Sequence, residues 1–590
     1  MSAPPVGPLP KDAARPPRRD QRVRPPDLIY GLDDRPPLPH LILLGAQHVA
    51  VICPYLVLIA LIAQASGASS AVASHAVGLG MIAIAVGTLL QAHRLGPVGS
   101  GYVAPPVVSV IYFASALEAA RHGGLGLVCG MVAFAGLIEA IFAGALPRMR
   151  RVFPSVVSGF IVIAVGVEAG LIGVRGFLGI SDLHDPNFPT HIGAAALTLA
   201  VMVGLGVWGK GLPRLLCSLI GLAFGMAIAV ALGMVTSKDV AVISSRPWFG
   251  PPDPRFLSYR FEPSLMVPFA IGALASGLRV IGVITTCQKI NDASWRRPEL
   301  NSIRFGVLAD GFACFLGGCV GTPGISAAPS LVGLQKVTGA TSRYIAYAIA
   351  GWLVLFACLP KVGAALLALP IPIIGAALIF NGASMLVGGI QIVMSRPMTM
   401  RNTFIVGISL LFALSRRVYP EFFALLPSWS HAFTDSMLSI AVVACVLLNL
   451  VFLIGERRTK VMVLEPDDSK TLSHFDDRFR AQAKLWQLNA ADAERAETST
   501  NALLRLIEEG GHADGSVTAS VSYDDLDLTI ELRYKGTLPF VASEQRTPRG
   551  VVEEQIFAAG LSGFLSSVYP DRLNSQQKDN NCQVSMTFQT

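Results

Sequence analysis

Two apolar stretches of the chain are interrupted by glycine and proline in the same manner. The first reads Gly99-Ser100-Gly101-Tyr102-Val103-Ala104-Pro105-Pro106, the second Gly321-Thr322-Pro323-Gly324-Ile325-Ser326-Ala327-Ala328-Pro329. Each has a hydroxyl residue after its first glycine, a β-branched residue four positions from that glycine, and a proline soon after. Such breaks favour extended backbone. In lipid its N–H and C=O groups are tolerated only inside protein or beside a polar cavity. A helix following the break turns its unpaired N–H groups and positive dipole end toward that cavity, which suits a polar or anionic ligand. Ionisable side chains in apolar surroundings are functional candidates too. Arg279, Glu139, Glu168 and Asp310 qualify, with Ser276 three residues before Arg279 on the same helical face.

The elements that must position these residues are membrane spans. The chain has 590 residues, 52% hydrophobic and 14% charged, against about 25% charged in soluble domains. The shortage is concentrated between Leu41 and Ile454. Fourteen apolar segments fill this region: Leu41–Ala63, Val72–Leu90, Val107–Ala119, Leu125–Leu146, Val156–Gly173, Ile192–Val207, Leu215–Val235, Leu265–Cys287, Ile303–Val320, Ala327–Val337, Tyr344–Leu359, Ile371–Met394, Thr403–Leu414 and Met437–Ile454. The net charge of +7 is scattered in short clusters between them. That pattern marks topology and argues against nucleic-acid binding. With the N-terminus inside, Arg94, Arg148/Arg150/Arg151, Lys210/Arg214, Arg296/Arg297/Arg304, Lys336/Arg343 and Arg396/Arg401 all fall on the cytoplasmic side. Both termini are therefore expected in the cytoplasm. Fourteen spans split into seven plus seven of opposite orientation, an inverted repeat. The two broken segments are then the third spans of each half, the position that marks a transporter binding site. None of the nine cysteines forms a CxxC pair, so no disulfide framework, metal site or cofactor is expected, and no catalytic constellation is visible.

Motifs in this region carry a family resemblance. Gln47-His48 in the first span, Phe153-Pro154-Ser155-Val156-Val157-Ser158-Gly159 at the fifth, Leu308-Ala309-Asp310-Gly311-Phe312 through Gly321-Thr322-Pro323 at the ninth, Leu369-Pro370-Ile371-Pro372-Ile373-Ile374-Gly375 with Gly388-Gly389-Ile390 at the twelfth, and Arg401-Asn402 and Leu447-Leu448-Asn449-Leu450-Val451-Phe452 at the last two follow in family order. From about residue 40 to 456 the chain resembles the nucleobase–ascorbate transporters (xanthine/uracil permeases). The resemblance implies an all-α polytopic membrane protein with a core domain (spans 1–4 and 8–11), a gate domain (spans 5–7 and 12–14) and short strands in spans 3 and 10. It implies a secondary active transporter, usually a homodimer in the cell membrane, that carries a purine, an oxopurine or a similar heterocycle, often with H+ or Na+. The implied substrate site is lined by His48, Tyr102, Val103, Ala104, Ser276, Arg279, Ser326, Ala327 and Ala328. Glu168 and Asp310 are coupling candidates. Glu139 lies near the cytoplasmic end of its span by residue count, which favours an interfacial structural role.

The chain departs from the family in two places. Members that bind nucleobases usually carry a Glu-x-x-Gly pattern in span 8, where this chain reads Arg279-Val280-Ile281-Gly282. Span 10 usually offers Glu or Gln followed by Asn; here Ala327-Ala328 stand there, and no carboxylate or amide occurs within Thr322–Leu334. An arginine donates in a planar fork and accepts nothing. Its partner is either a carboxylate (Glu139, Glu168 or Asp310) or an anionic substrate. An anion transporter on the same scaffold is thus an alternative, as is a transporter-like sensor signalling through the C-terminal region.

Outside these limits the sequence is polar. Residues 1–36, rich in proline and arginine, are expected to form a disordered cytoplasmic tail, with 37–456 the transporter domain. Residues 457–590 are expected to form a small cytosolic α/β domain, with amphipathic helix over Phe475–Glu509, a hairpin over Ser516–Tyr534 around Asp524-Asp525, a helix over Glu553–Val568 and a last strand over Cys582–Gln589. Its order of elements resembles a degenerate kinase-like ATPase fold. Neither an Asn box nor an Asp-x-Gly lid is evident, so a regulatory or dimerisation role is expected in place of nucleotide binding.

Overall fold

The computed structural model describes residues 23–146, 154–179, 188–453 and 458–589, apart from residues 294, 296–297, 395–397, 428–429, 431–432, 435, 465–470, 487, 489, 510–511, 524–526, 539–569, 571 and 579. The chain divides into two compact units, one spanning Arg22–Val451 and the other built around the C-terminal region.

The first unit is helical. Its main elements are α1 (Leu38–Ala65), α2 (Ser70–Ala92), β1 (Pro106–Val108), α3 (Phe113–Ala145), α4 (Ser155–Phe177), α5 (Phe188–Trp208), α6 (Cys217–Ala231), α7 (Met266–Asn291), α8 (Leu300–Cys319), β2 (Ile325–Ala327), α9 (Pro329–Thr338), α10 (Ile345–Ala357), α11 (Pro360–Leu367), α12 (Ile371–Val393), α13 (Met400–Val418) and α14 (Met437–Phe452). Among the described residues, eight helices are long and apolar enough to cross a membrane, or nine if α10 and α11, bent by 81° at their junction, make one span. The protein is an integral membrane protein.

Each of the fourteen apolar segments overlaps a helix, yet the number meeting the span test is smaller, for local reasons. The third and fourth segments run together in α3, which is broken only at Gly124, where φ is 70°. The tenth becomes the ten-residue α9 after β2. The seventh and fourteenth give helices of 15 and 16 residues. The thirteenth lies in α13, which carries Arg416 and Arg417 in its last turn.

Backbone contact through glycine organises the bundle. On α4, Gly159, Gly166 and Gly173 recur every seven residues; on α12, so do Gly375, Gly382 and Gly389. A Cβ added at Gly382 would stand 2.8 Å from the Gly170 nitrogen, and one at Gly375 2.3 Å from the Phe177 nitrogen. Side chains are thus excluded along this seam, and the backbones touch as in small-residue membrane packing. The pair α3 and α8 does the same around Gly136, Gly311 and Gly318.

Residues 23–36 depart from the expectation of a disordered tail. Ile29 N–H donates to the Gly339 carbonyl at 2.8 Å, Thr341 N–H to Tyr30 at 2.9 Å and Arg343 N–H to Leu32 at 3.0 Å, while Leu28 and Leu32 are buried. The chain adds its own backbone hydrogen bonds to the turn after α9, which propensity alone does not foresee. The rest of the expected tail lies outside the described residues.

The second unit has a five-stranded antiparallel sheet in the order β3-β4-β5-β7-β6, formed by β3 (Arg458–Leu464), β4 (Val517–Tyr523), β5 (Asp527–Lys535), β6 (Arg572–Lys578) and β7 (Asn581–Gln589). Helices α15 (Thr471–Leu485) and α16 (Ala490–Glu509) stand where one amphipathic helix was expected. The core joins Phe475 and Phe479 to alternating residues of the strands, among them Val521, Ile530 and Val584. Arg480 forks onto Glu497 at 2.9 and 2.6 Å, and Asn501 donates to Asp476 at 2.7 Å, tying the two helices together. The strands β3 and β6 have no counterpart in the sequence reading. The hairpin tip Asp524-Asp525 and the helix expected over Glu553–Val568 lie outside the described residues.

Candidate functional site

Where the two broken segments meet, β1 and β2 pair antiparallel in the register Pro106↔Ala327, Val107↔Ser326 and Val108↔Ile325. The strand of the first segment therefore begins where the Gly99–Pro106 motif ends. Upstream of it, Gly99–Ala104 is fixed to protein. Gly99 N–H donates to Phe305 O at 3.0 Å and Gly101 N–H to Gln91 O at 3.0 Å. Ser302 Oγ donates to Ser100 O at 2.8 Å, Arg343 Nε to Gly101 O at 2.9 Å and Gln335 Nε2 to Val103 O at 2.5 Å. These carbonyls belong to the scaffold. Tyr102, Val103 and Ala104 are buried within it.

The second segment carries the polar cluster. Asp310, at mid-length in α8, is wholly buried and accepts the Ala327 N–H of β2 at 2.8 Å on Oδ1 and the Ser276 hydroxyl of α7 at 3.3 Å on Oδ2. One carboxylate thus joins α7, α8 and β2. The Ala327 N–H is held by Asp310, because an unpaired buried carboxylate recruits the nearest donor.

Glu139 completes the cluster and corrects its assignment to the membrane interface. It is fully buried, stands beside Asp310 and Ser276, and accepts the Tyr112 hydroxyl at 3.3 Å on Oε2. The cause is the glycine contact between α3 and α8. A Cβ at Gly311 would lie 2.7 Å from the Ala140 nitrogen, so Glu139 crosses α8 next to Asp310. Room for Tyr112 comes from Gly324 and Gly272, whose added Cβ atoms would lie 2.4 and 3.1 Å from its ring. Gly324 also has φ of 100°, a conformation that glycine adopts without strain.

Among the described residues Arg279 is the largest fully buried side chain. The charges of Asp310 and Glu139 and the hydroxyls of Tyr55 and Tyr112 lie in its electrostatic range. Among the described residues it forms no ion pair with any of the three carboxylates that sequence offered, and its Nε and Nη2 have no hydrogen-bond partner. Glu168 is elsewhere: on α4 it pairs with Arg417 of α13 at 2.7 Å. The structure brings Ser276, Arg279, Ser326, Ala327 and Asp310 together, adds Glu139, Tyr112 and Tyr55, and seats Glu168 apart.

His48 lies on α1, buried, with its Nδ1 bonded to the Leu44 carbonyl at 2.8 Å. A carbonyl partner requires the proton on Nδ1, so neutral His48 presents a bare Nε2 acceptor, which has no partner in the structure. Tyr55, two helical turns on and so on the same face, reaches Met385 of α12 at 3.9 Å and neighbours Ser330 of α9 and Arg279. The hydroxyls of Ser326 and Ser330 are buried without hydrogen-bond partners. Ala328 caps α9 with no side-chain acceptor, and Pro329 follows at its first position. No group of three or more His, Cys, Asp or Glu residues among those described is arranged for a metal.

A family model described as the permease family matches residues 39–422. The chain belongs to this family, the xanthine/uracil permeases. Within it, xanthine permease XanP of Escherichia coli (strain K12) is 27% identical over 446 residues, covering 72% of this chain and 95% of that protein. Xanthine permease XanQ of the same strain is 28% identical over 454 residues, covering 74% and 96%. A putative purine permease of Clostridium perfringens (strain 13 / Type A) is 24% identical over 426 residues, covering 72% and 93%. The permease also shares its fold with the murine Solute Carrier 26 family member A9 anion transporter in its inward-facing state, at TM-score 0.51 and 13% identity over 73% of this chain and 71% of that one. The C-terminal unit lies beyond the family match.

Proposed function

We propose that this permease is a secondary active transporter of a purine, oxopurine or similar heterocycle, working by alternating access in the cell membrane with both termini cytoplasmic. The observation that carries the reading is the alignment with xanthine permeases along 95% or more of their length, beside a family match over residues 39–422 that takes in every element of the polar cluster. In this reading the fourteen segments form an inverted repeat of seven plus seven. Segments 1–4 and 8–11, drawn from both halves and holding β1, β2 and the cluster, form the core, and the α4–α12 pair belongs to the gate. Substrate sits beside β2 and the start of α9, facing His48, Ser276, Arg279 and Ser326. Asp310 is the coupling group for H+ or Na+. It touches both the strand that lines the site and the helix that carries Arg279, so a change in its charge reaches the substrate directly. A homodimer with a regulatory C-terminal unit completes the proposal.

Uptake into proteoliposomes tests it. Radiolabelled xanthine should accumulate when a pH or sodium gradient is imposed and should be displaced by unlabelled purines. Absence of uptake for xanthine, urate, hypoxanthine and uracil under every gradient would refute the assignment.

A further inference from the structure

The guanidinium of Arg279 has two bare donors, and their positions on the group are informative. Nε–H and the adjacent Nη2–H point the same way from one edge of the planar guanidinium, the edge that binds two neighbouring acceptor atoms at once. Both are buried and both lack a partner, a costly arrangement for a group that is 1% exposed. Neither nearby carboxylate pairs with it: Asp310 has one oxygen on the Ala327 N–H and the other on the Ser276 hydroxyl, and Glu139, whose Oε1 is also without a partner, forms no ion pair with Arg279. The uncapped first turn of α9 adds donors in the same region, beside the hydroxyls of Ser326, next to Asp310, and Ser330, next to Tyr55. On α1, on the helix face that carries Tyr55, His48 offers a bare Nε2 acceptor.

From this pattern we infer that the substrate is an oxopurine taken as its monoanion, read by Arg279 through two adjacent acceptors of a deprotonated N–C=O edge, with a remaining ring N–H toward His48. The inference rests on the purine-transport reading and narrows it. The chemistry is that of arginine reading two acceptors on a purine edge, a contact good for roughly 10- to 100-fold discrimination. Charge on the ligand strengthens the contact and offsets the buried cation. A lysine at this position would keep the charge and lose the fork.

Binding to the purified full-length permease distinguishes the outcomes, with radiolabelled xanthine as tracer and unlabelled competitors. Urate, anionic at neutral pH, should compete at least tenfold better than hypoxanthine, which is neutral, and xanthine should bind more tightly as pH rises through its own ionisation. R279K should weaken urate by ~10- to 100-fold while changing hypoxanthine less than threefold. R279Q, shorter, polar and uncharged, should abolish or invert the preference, and thermal melting of each variant shows that it is folded. Equal competition by urate and hypoxanthine in the wild type, or equal weakening of both by R279K, overturns the inference while leaving purine transport standing. Competition by bicarbonate or formate as strong as that by urate also overturns it, because the heterocycle would then be irrelevant. Failure of every purine to bind refutes the broader proposal instead.

Discussion

Adding one methyl group to the α4–α12 seam should destabilise the permease, while adding it six residues away on the same helix should not. In Gly382→Ala the new Cβ would meet the Gly170 nitrogen at 2.8 Å, the Gly166 oxygen at 2.9 Å and the Gly170 Cα at 3.1 Å, all backbone. None can rotate aside, so the helices must part by about 0.6 Å to restore ordinary contact. A gap of that size forfeits about a quarter to a half of the dispersion energy along the seam. Alanine returns about 1 kcal/mol of helix propensity. Overpacking of this kind costs roughly 1–3 kcal/mol, so the net effect should be a loss of up to about 2 kcal/mol. Gly388→Ala is the internal control: nothing lies within 4 Å of its added Cβ, and only the propensity gain remains. The assay is thermal unfolding of the purified protein in detergent at one scan rate, read as the melting temperature, with xanthine uptake measured in parallel. G382A should melt several degrees lower and G388A no lower than wild type. If both shift by the same amount, close backbone contact is not what holds this pair, and the argument from glycine spacing fails.

Other perturbations separate the roles of the buried charges. Asp310→Ala strips the Ala327 N–H of its acceptor inside the protein and should cost about 1–3 kcal/mol, whereas Asp310→Asn keeps an acceptor and should melt near wild type. Both should lose gradient-driven uptake, and normal driven uptake by D310N would remove Asp310 from coupling. Glu168→Gln keeps an acceptor for Arg417 and should retain driven uptake, while Arg417→Ala leaves a buried carboxylate unpaired and should lower the melting temperature; loss of driven uptake in a well-folded E168Q would return Glu168 to the coupling path. In the C-terminal unit, burial raises the Cys582 thiol, and its Sγ–H donates to Gly536 O at 3.3 Å. A thiol whose folded value is raised holds its proton more tightly when folded. Its stabilising effect is therefore complete at neutral pH and is lost as pH climbs past the ordinary thiol range. Hydrogen exchange across β5 and β7 in the full-length protein should accelerate above that range, less so in Cys582→Ala. Maleimide labelling of Cys582 at neutral pH should be far slower than that of a free thiol.

Sequence made the membrane class legible because a bilayer imposes a coarse rule. Apolar runs of fixed length stand out whatever their tertiary partners. Matched breaks at Gly99 and Gly321 pointed to paired extended segments for the same reason, since glycine and proline act on the backbone locally. Registers were less legible. The strand of the first segment lies at Pro106–Val108, just past the motif, because pairing depends on where Ile325–Ala327 falls opposite it, and that is a long-range fact. In the C-terminal unit, β4, β5 and β7 alternate visibly. Arg572–Lys578 reads Arg-Leu-Asn-Ser-Gln-Gln-Lys and shows no apolar alternation; it is a strand because it pairs with β7 along its whole length.

The site itself shows why depth in the membrane is not a count of residues from a loop. Glu139 lies seven residues before the end of the segment first drawn for it, and a boundary argument assigns it to the interface. Its actual neighbours follow from Gly136 and Gly311, which let two antiparallel helices cross with backbones touching, so the side chain one turn past the crossing meets the partner's mid-helix carboxylate. Gly136, three residues before Glu139, is the sequence signal of this close crossing. For Arg279 the sequence did yield the right dilemma, internal ion pair or external anion. Geometry bears on it: both carboxylates stand within electrostatic reach, yet among the described residues neither forms an ion pair with Arg279, and Asp310 holds a backbone amide and a hydroxyl. A buried cation with bare donors is a preorganised half of a contact. Removing the charge in R279Q should therefore raise or preserve the melting temperature of the ligand-free protein while lowering its stabilisation by saturating urate. A variant that melts lower without ligand, yet gains as much from urate as wild type does, would show that the arginine serves the fold and not the substrate.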